Sequence, residues 1–189
     1  MPGRQERAGR TRAGIGAWLA GALVLALAAC GSGSPGPGPH FKVGQPYKTN
    51  GQWYHPAFVT QYEATGIASW YGESYHGRLT ANGETYDMYA LTAAHPTLQL
   101  PSVVEVLNLE NGRSLILRVN DRGPFVDDRL IDLSYAAARE LGFARQGLAR
   151  VQVRYLGLAR LDELPIKPGE GRAYAALSCE LPAPDRLVC

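Results

Sequence analysis

The sequence predicts a mainly β fold: a small closed or nearly closed barrel with one or two short helices. Three observations lead there. Six apolar runs between Gly66 and Leu158 are short and β-rich: GIASWY, YALTAA, SVVEVLNL, SLILRVN, RLIDLS and ARVQVRYLGL. Turn signals separate them, among them Asn82-Gly83 and Asn111-Gly112, pairs that accept the left-handed backbone of tight hairpin turns. Only one stretch, SYAAARELG, reads as a convincing helix. Short strands in such number remove their unpaired edges by closing on one another.

The elements follow in order. MPGRQERAGRTR is basic, and the 17 residues after it, AGIGAWLAGALVLALAA, carry no charge. A basic segment before a short apolar one is a secretory signal, and the run is shorter than the ~20 apolar residues a membrane-spanning helix needs. Residues 1–29 are therefore expected to be a signal peptide. Leu27-Ala28-Ala29-Cys30 resembles the lipobox of bacterial lipoproteins. That resemblance implies acylation of Cys30 and, because Gly31 and Ser32 bring no retention aspartate, anchoring to the periplasmic face of the outer membrane. Each buried lipid methylene contributes ~0.8 kcal/mol, so a multiply acylated cysteine holds firmly.

Residues 30–40, with the Gly/Ser/Pro stretch GSGSPGPGPH, form a linker that lets a globular domain stand off the membrane. Residues 41–64 have aromatics but no sustained period, and are expected to be an extended arm whose Trp53 and His55 belong to an aromatic strap. The barrel domain is residues 65–158, and VEVLNLENGRSLILRV is its clearest hairpin. In SYAAARELG, Ser134 is the expected N-cap and Gly142 the stop. Residues 159–189 are a proline-rich tail. There Cys179 and Cys189 are two thiols that can pair as a disulfide in an oxidising compartment.

The chain has 19 basic and 17 acidic side chains, but residues 1–29 hold four of the arginines and only one of the acids. The remainder is near neutral and gives no support for nucleic acid as a partner. No zinc-binding spacing, phosphate loop, nucleophile elbow or CxxC pair occurs in it, so neither a cofactor nor a metal is expected.

The motifs ASWYG, HG…TANGE, ALTAAH, VNDRGPF and IDLS.AAA..LG follow one another between Gly66 and Phe143. In this order they resemble the core of the rare lipoprotein A (RlpA) family. The resemblance implies a six-stranded double-psi β-barrel and an endolytic lytic transglycosylase that cuts peptidoglycan glycan strands, preferentially peptide-denuded ones, to 1,6-anhydromuramyl ends. It also implies division-site proteins as a partner class. Many family members carry a C-terminal SPOR domain, and the 31 residues after Leu158 are too few for one. The competing expectation is a non-catalytic glycan-binding or expansin-like wall lipoprotein, and a plain hydrolase is a third.

Lytic cleavage needs one carboxyl group acting first as acid and then as base, with its pKa raised towards the working pH. Asp121, at a strand end closed by RGP, is the first candidate. The family motif gives Asp121 the same role and makes Glu84, after the Asn82-Gly83 turn, essential, so that Glu84 and Asp121 are expected to share the acid and base work, assisted by His95. His95 is expected to hydrogen-bond a carboxylate and orient it. Asp87 and Arg122 are supporting candidates, Arg122 with a structural role in view. Trp70 and Tyr71 are expected either to stack on sugars or to fill the barrel, and Tyr75 and His76 to line a groove. Asp132 aligns with an acid used by some endoglucanase relatives but is expected to cap the following helix.

Overall fold

The computed structural model describes residues 38–126, 128–163, 165–166 and 168. The signal peptide, Cys30, Asp127, Cys179 and Cys189 lie outside the described residues, as does most of the tail.

Six strands close the barrel: β3 (Glu63–Tyr71), β4 (Thr92–Ala94), β5 (Ser102–Asn108), β6 (Ser114–Asp121), β7 (Arg129–Ser134) and β8 (Ala149–Leu158). Their order around it is β3-β7-β4-β6-β5-β8. β3 runs parallel to β7 and β4 parallel to β6, while the other neighbours are antiparallel. This interlocked, mixed pairing is the double-psi β-barrel expected above.

Local pattern explains most of the strands. β8 alternates strictly, with Ala149, Val151, Val153 and Tyr155 buried and Arg150 and Arg154 exposed, as a strand with one solvated face must. Val104, Val106, Leu117, Val119, Ile131 and Leu133 meet these residues inside. β6 is buried on both faces: Leu117 and Val119 point to the core, and Arg118 and Asn120 lie on the opposite face. β5 and β6 pair as the expected hairpin.

β4 is shorter than YALTAA suggests. Asp87 Oδ1 accepts the Tyr89 N–H at 2.9 Å and its carbonyl accepts the Ala90 N–H at 3.1 Å, so Tyr89 and Ala90 are taken into a turn. The helix α1 (Tyr135–Glu140) is capped by Ser134, whose Oγ accepts the Ala137 N–H at 3.1 Å. Gly142 follows it at φ +81°, the left-handed stop expected. A single 3-10 turn, Glu73–Tyr75, is the other short helical piece among the described residues.

The arm is more structured than an extended segment. β1 (Tyr47–Thr49) and β2 (Gln52–Tyr54) form an antiparallel hairpin in which Tyr47 faces Tyr54 and Lys48 faces Trp53. Its turn is Asn50-Gly51, both at positive φ, the left-handed two-residue connection that matches strand twist. Tyr47 and Tyr54 stack with centroids 5.2 Å apart, and both set their edges against Phe125. The Tyr47 hydroxyl donates to Pro96 O at 2.8 Å, and Asn50 Nδ2 to Phe125 O at 2.8 Å. The hairpin is thus held against the barrel by its tyrosine pair and its turn.

Candidate active site

Strand register creates the site. Ala94, at the end of β4, pairs with Asp121 of β6 on one side and with Asp132 of β7 on the other. Adjacent strands lie about 4.8 Å apart, which puts the two aspartates roughly 10 Å apart along the sheet. Both line a cleft of about 250 Å³, together with Tyr71, Tyr75, Arg122, Phe125 and Arg129.

Asp121 is held on one side only. Its Oδ1 accepts the Ala81 N–H at 2.9 Å and the Arg122 N–H at 2.7 Å. Its other oxygen makes no hydrogen bond among the described residues. Burial pushes the carboxyl above its ordinary pKa, outweighing those two N–H groups and the charges of Arg122 and Lys42. A fixed carboxyl with one unengaged oxygen on a cleft, biased towards its protonated form, is suited to general acid work.

Asp132 does not cap α1, since Ser134 does. Its Oδ1 instead accepts from the Ser69 hydroxyl and lies 3.6 Å from Arg129 Nη1, which also donates to Ser69 Oγ. Burial raises its pKa, with Ser69 and Arg129 acting against the rise. Tyr71, two residues beyond Ser69 on the same strand face, stacks on Tyr86 with centroids 4.2 Å apart. Its buried hydroxyl makes no well-formed hydrogen bond. Burial, then the Asp121 charge, raises its pKa well above normal, so it stays a neutral donor.

Glu84 lies inside rather than on this cleft. Its carboxylate is closed by Arg118, with Nη2 at 2.7 Å and Nε at 3.0 and 3.1 Å, by Asn82 Nδ2 at 2.6 Å and by Asn120 Nδ2 at 2.9 Å. Burial alone would raise its pKa, but the hydrogen bonds and charge of Arg118, with Asn120 and Asn82, bring it below normal. A carboxylate so engaged stays ionised and braces the Thr80–Glu84 turn, from which Ala81 reaches Asp121. This is a positioning geometry, and it departs from the expectation that Glu84 shares the proton with Asp121.

His95 also departs from expectation, because its ring touches no carboxylate. Nδ1 accepts the Thr97 and Leu98 N–H groups at 3.2 and 3.1 Å, which leaves the ring proton on Nε2, 3.0 Å from the Tyr62 hydroxyl. Its backbone N–H donates to Asp121 O at 3.0 Å. Burial, helped by Arg122, lowers its pKa to about 3, so the ring is neutral at physiological pH. Arg122 binds three carbonyls, Leu98 O at 2.5 Å, Val43 O at 2.6 Å and His95 O at 3.2 Å. None of these three bonds is to the Asp121 carboxylate. His95 and Arg122 therefore fix the backbone on which Asp121 stands.

Of the other expected residues, Trp70 and Tyr71 part by strand parity. Tyr71 and Tyr75 line the cleft, whereas Trp70, on the opposite face of β3, packs on Tyr135 and donates Nε1–H to Ala144 O at 3.1 Å. His76 and Asp87 sit 3.7 Å apart on an exposed loop and do not line the cleft. Arg118, Ser69 and Arg129 belong to the site without having been singled out in the sequence. For Arg118 the available signal is a charged residue in the middle of an apolar strand. Among the described residues no group of three or more potential ligands is arranged to hold a metal.

Comparison with known proteins agrees with the barrel fold. The family model described as "Lytic transglycolase" matches residues 63–153, the barrel. A Pseudomonas aeruginosa protein named "Endolytic peptidoglycan transglycosylase RlpA" is 60% identical over 109 residues, covering 57% of this chain and 32% of that protein. One of the same name from Neisseria meningitidis is 52% identical over 118 residues, 62% of this chain and 49% of that protein. The chain thus spans about a third to a half of the length of these relatives. A solved structure, the Streptomyces papain inhibitor, covers 50% of this chain and 94% of its own at 26% identity and a TM-score of 0.43. The barrel, residues 63–153, thus matches the lytic transglycolase family model, and over it this chain is similar to proteins named RlpA.

Proposed function

We propose that the chain is an endolytic peptidoglycan transglycosylase in which Asp121 is both acid and base. The observation that carries this is the Asp121 carboxyl itself, with one oxygen fixed by two backbone N–H groups, the other turned to a cleft, and its protonated form favoured by burial. Protonated Asp121 gives its proton to the glycosidic oxygen as the bond to the muramyl C1 breaks. Positive charge then develops at C1, and Asp132, across β4 from Asp121 and kept in its ionised form by Ser69 and Arg129, stabilises it. The sugar's own C6 hydroxyl attacks C1 while its proton returns to Asp121, closing the 1,6-anhydro ring. Atoms balance without water or a cofactor. The Tyr71 ring walls the cleft beside Asp121.

Peptide-denuded strands are the proposed substrate, the preference that the resemblance to the RlpA family implies. The basic-then-apolar leader, Cys30 and the linker support a lipoprotein anchored at the periplasmic face of the outer membrane, acting in wall remodelling or daughter-cell separation with division-site proteins. One observation favours a second reading: the paired aspartates on one cleft suit hydrolysis, in which one acid activates water. Mass spectrometry of fragments released from amidase-stripped sacculi tests both. Anhydromuramyl ends that disappear in Asp121→Asn support the lytic reading, reducing ends support hydrolysis, and intact glycan with retained binding points to a wall-binding module.

A further inference from the structure

The hairpin β1–β2 is outside the barrel segment that matches the family, and only one of its faces is used for docking. Tyr47 and Tyr54 hold it to Phe125. Trp53, on the other face opposite Lys48, is 57% exposed. That exposure leaves the indole accessible to a ligand.

Trp53 lies beside His55, the two rings 29° from parallel with centroids 6.4 Å apart. The exposed indole and the imidazole stacked beside it form one aromatic cluster. It lines an open groove of about 600 Å³, with Thr97, Val126, Asp128 and Arg129 opposite. Val126 and Arg129 also line the Asp121 cleft, so the groove and the cleft adjoin across these two residues. Arg129 touches both ends, since it also contacts Asp132.

We propose that the Trp53–His55 surface is a sugar-stacking subsite that extends the Asp121 cleft and takes a glycan unit remote from the bond being cut. The identity of the ligand rests on the glycan reading above. The chemistry fits that ligand: a pyranose presents a patch of C–H groups to an electron-rich indole face and its hydroxyls to the rim, and Asp128, Arg129 and Thr97 supply such a rim. An aromatic platform in line with an acid-bearing cleft holds a chain by its middle, as an endo-acting enzyme must.

The test uses the full chain in detergent, in an Asp121→Asn background so that ligands survive. Peptide-denuded glycan oligomers of two, four, six and eight sugars are titrated calorimetrically. Trp53→Ala is expected to weaken the octasaccharide about tenfold, or about 1.4 kcal/mol, and to leave the disaccharide unchanged. Trp53→Tyr should restore most of the loss. Because Tyr47 and Tyr54 hold the hairpin, near-ultraviolet circular dichroism should show Tyr47 and Tyr54 still packed. Unchanged octasaccharide affinity in Trp53→Ala, or an equal loss at every length, overturns the subsite. A chain that binds long oligomers through Trp53 but never cuts stripped sacculi overturns the lytic reading and leaves the subsite standing. One that cuts them with no dependence on Trp53 does the reverse.

Discussion

Replacing Glu84 by glutamine separates a structural carboxylate from a catalytic one. The side chains are nearly the same size, so packing is unchanged and only charge and hydrogen-bond polarity differ. Glu84 faces Arg118, whose side chain is fully buried, through three contacts of 2.7–3.1 Å, and two asparagine amides complete its shell. With glutamine the guanidinium keeps its bond to Arg160 O at 2.9 Å but loses the carboxylate charge opposite it. An amide nitrogen now confronts donors. Breaking a buried pair from one side costs about 3–5 kcal/mol. For a domain of this size, that lowers the melting temperature by roughly 10–20 °C. Circular dichroism melting of the full chain in detergent measures it. The paired change Glu84→Leu with Arg118→Met, which removes both charges together, should recover most of the loss. A Glu84→Gln protein that melts within about 3 °C of wild type yet releases no glycan fragments would refute the structural assignment and place Glu84 in the chemistry.

The remaining predictions concern Asp121, His95 and Arg122. Asp121→Asn keeps the acceptor oxygen for the Ala81 and Arg122 N–H groups, so its melting temperature should stay near wild type while turnover is lost; a folded mutant with wild-type rates contradicts the mechanism. Because the acid must be protonated and its pKa is raised by burial, kcat/KM should fall as pH rises through that pKa, and this alkaline limb is measured on soluble glycan oligomers. His95 has its folded pKa depressed to about 3, below an unfolded value near 6.5. Its contribution to stability is therefore present above the unfolded pKa and lost as pH falls through the window between the two, by about 1.4 kcal/mol per unit. His95→Gln should flatten that acid-side loss in urea titrations at pH 7 and pH 5. Arg122→Gln leaves carbonyls of Val43, His95 and Leu98 short of donors, and a loss of about 2–4 kcal/mol is expected from the same titrations.

The sequence made the barrel legible because alternation is local: β8 and the β5–β6 hairpin follow directly from apolar positions two apart. The β1–β2 hairpin had an equally local signal, Asn50-Gly51, but strands of three residues show no period. Which face of a strand meets a cleft is another matter. Trp70 and Tyr71 are neighbours of similar character, and parity decides only that they part, while the register of β3 with β7 decides which one reaches the site. Asp132 and Ser134 are both N-cap types two residues apart, and the pairing of β7 with Ala94 is what turns Asp132 to the cleft. Glu84 and Arg118 are 34 residues apart, so their pairing is a product of closure. The place of Asp121 at a strand end on the cleft was legible because its cues, the end of an apolar run and a Gly-Pro pair, sit beside it.

The most direct test of the central claim is to let the enzyme cut stripped glycan in water enriched in heavy oxygen. If Asp121 serves the sugar's own C6 hydroxyl, the new muramyl ends are lighter than hydrolytic ends by one water and contain no label, in every fragment released. Label at the new ends would mean that water attacks C1, and the account of Asp121 as sole acid and base would be wrong.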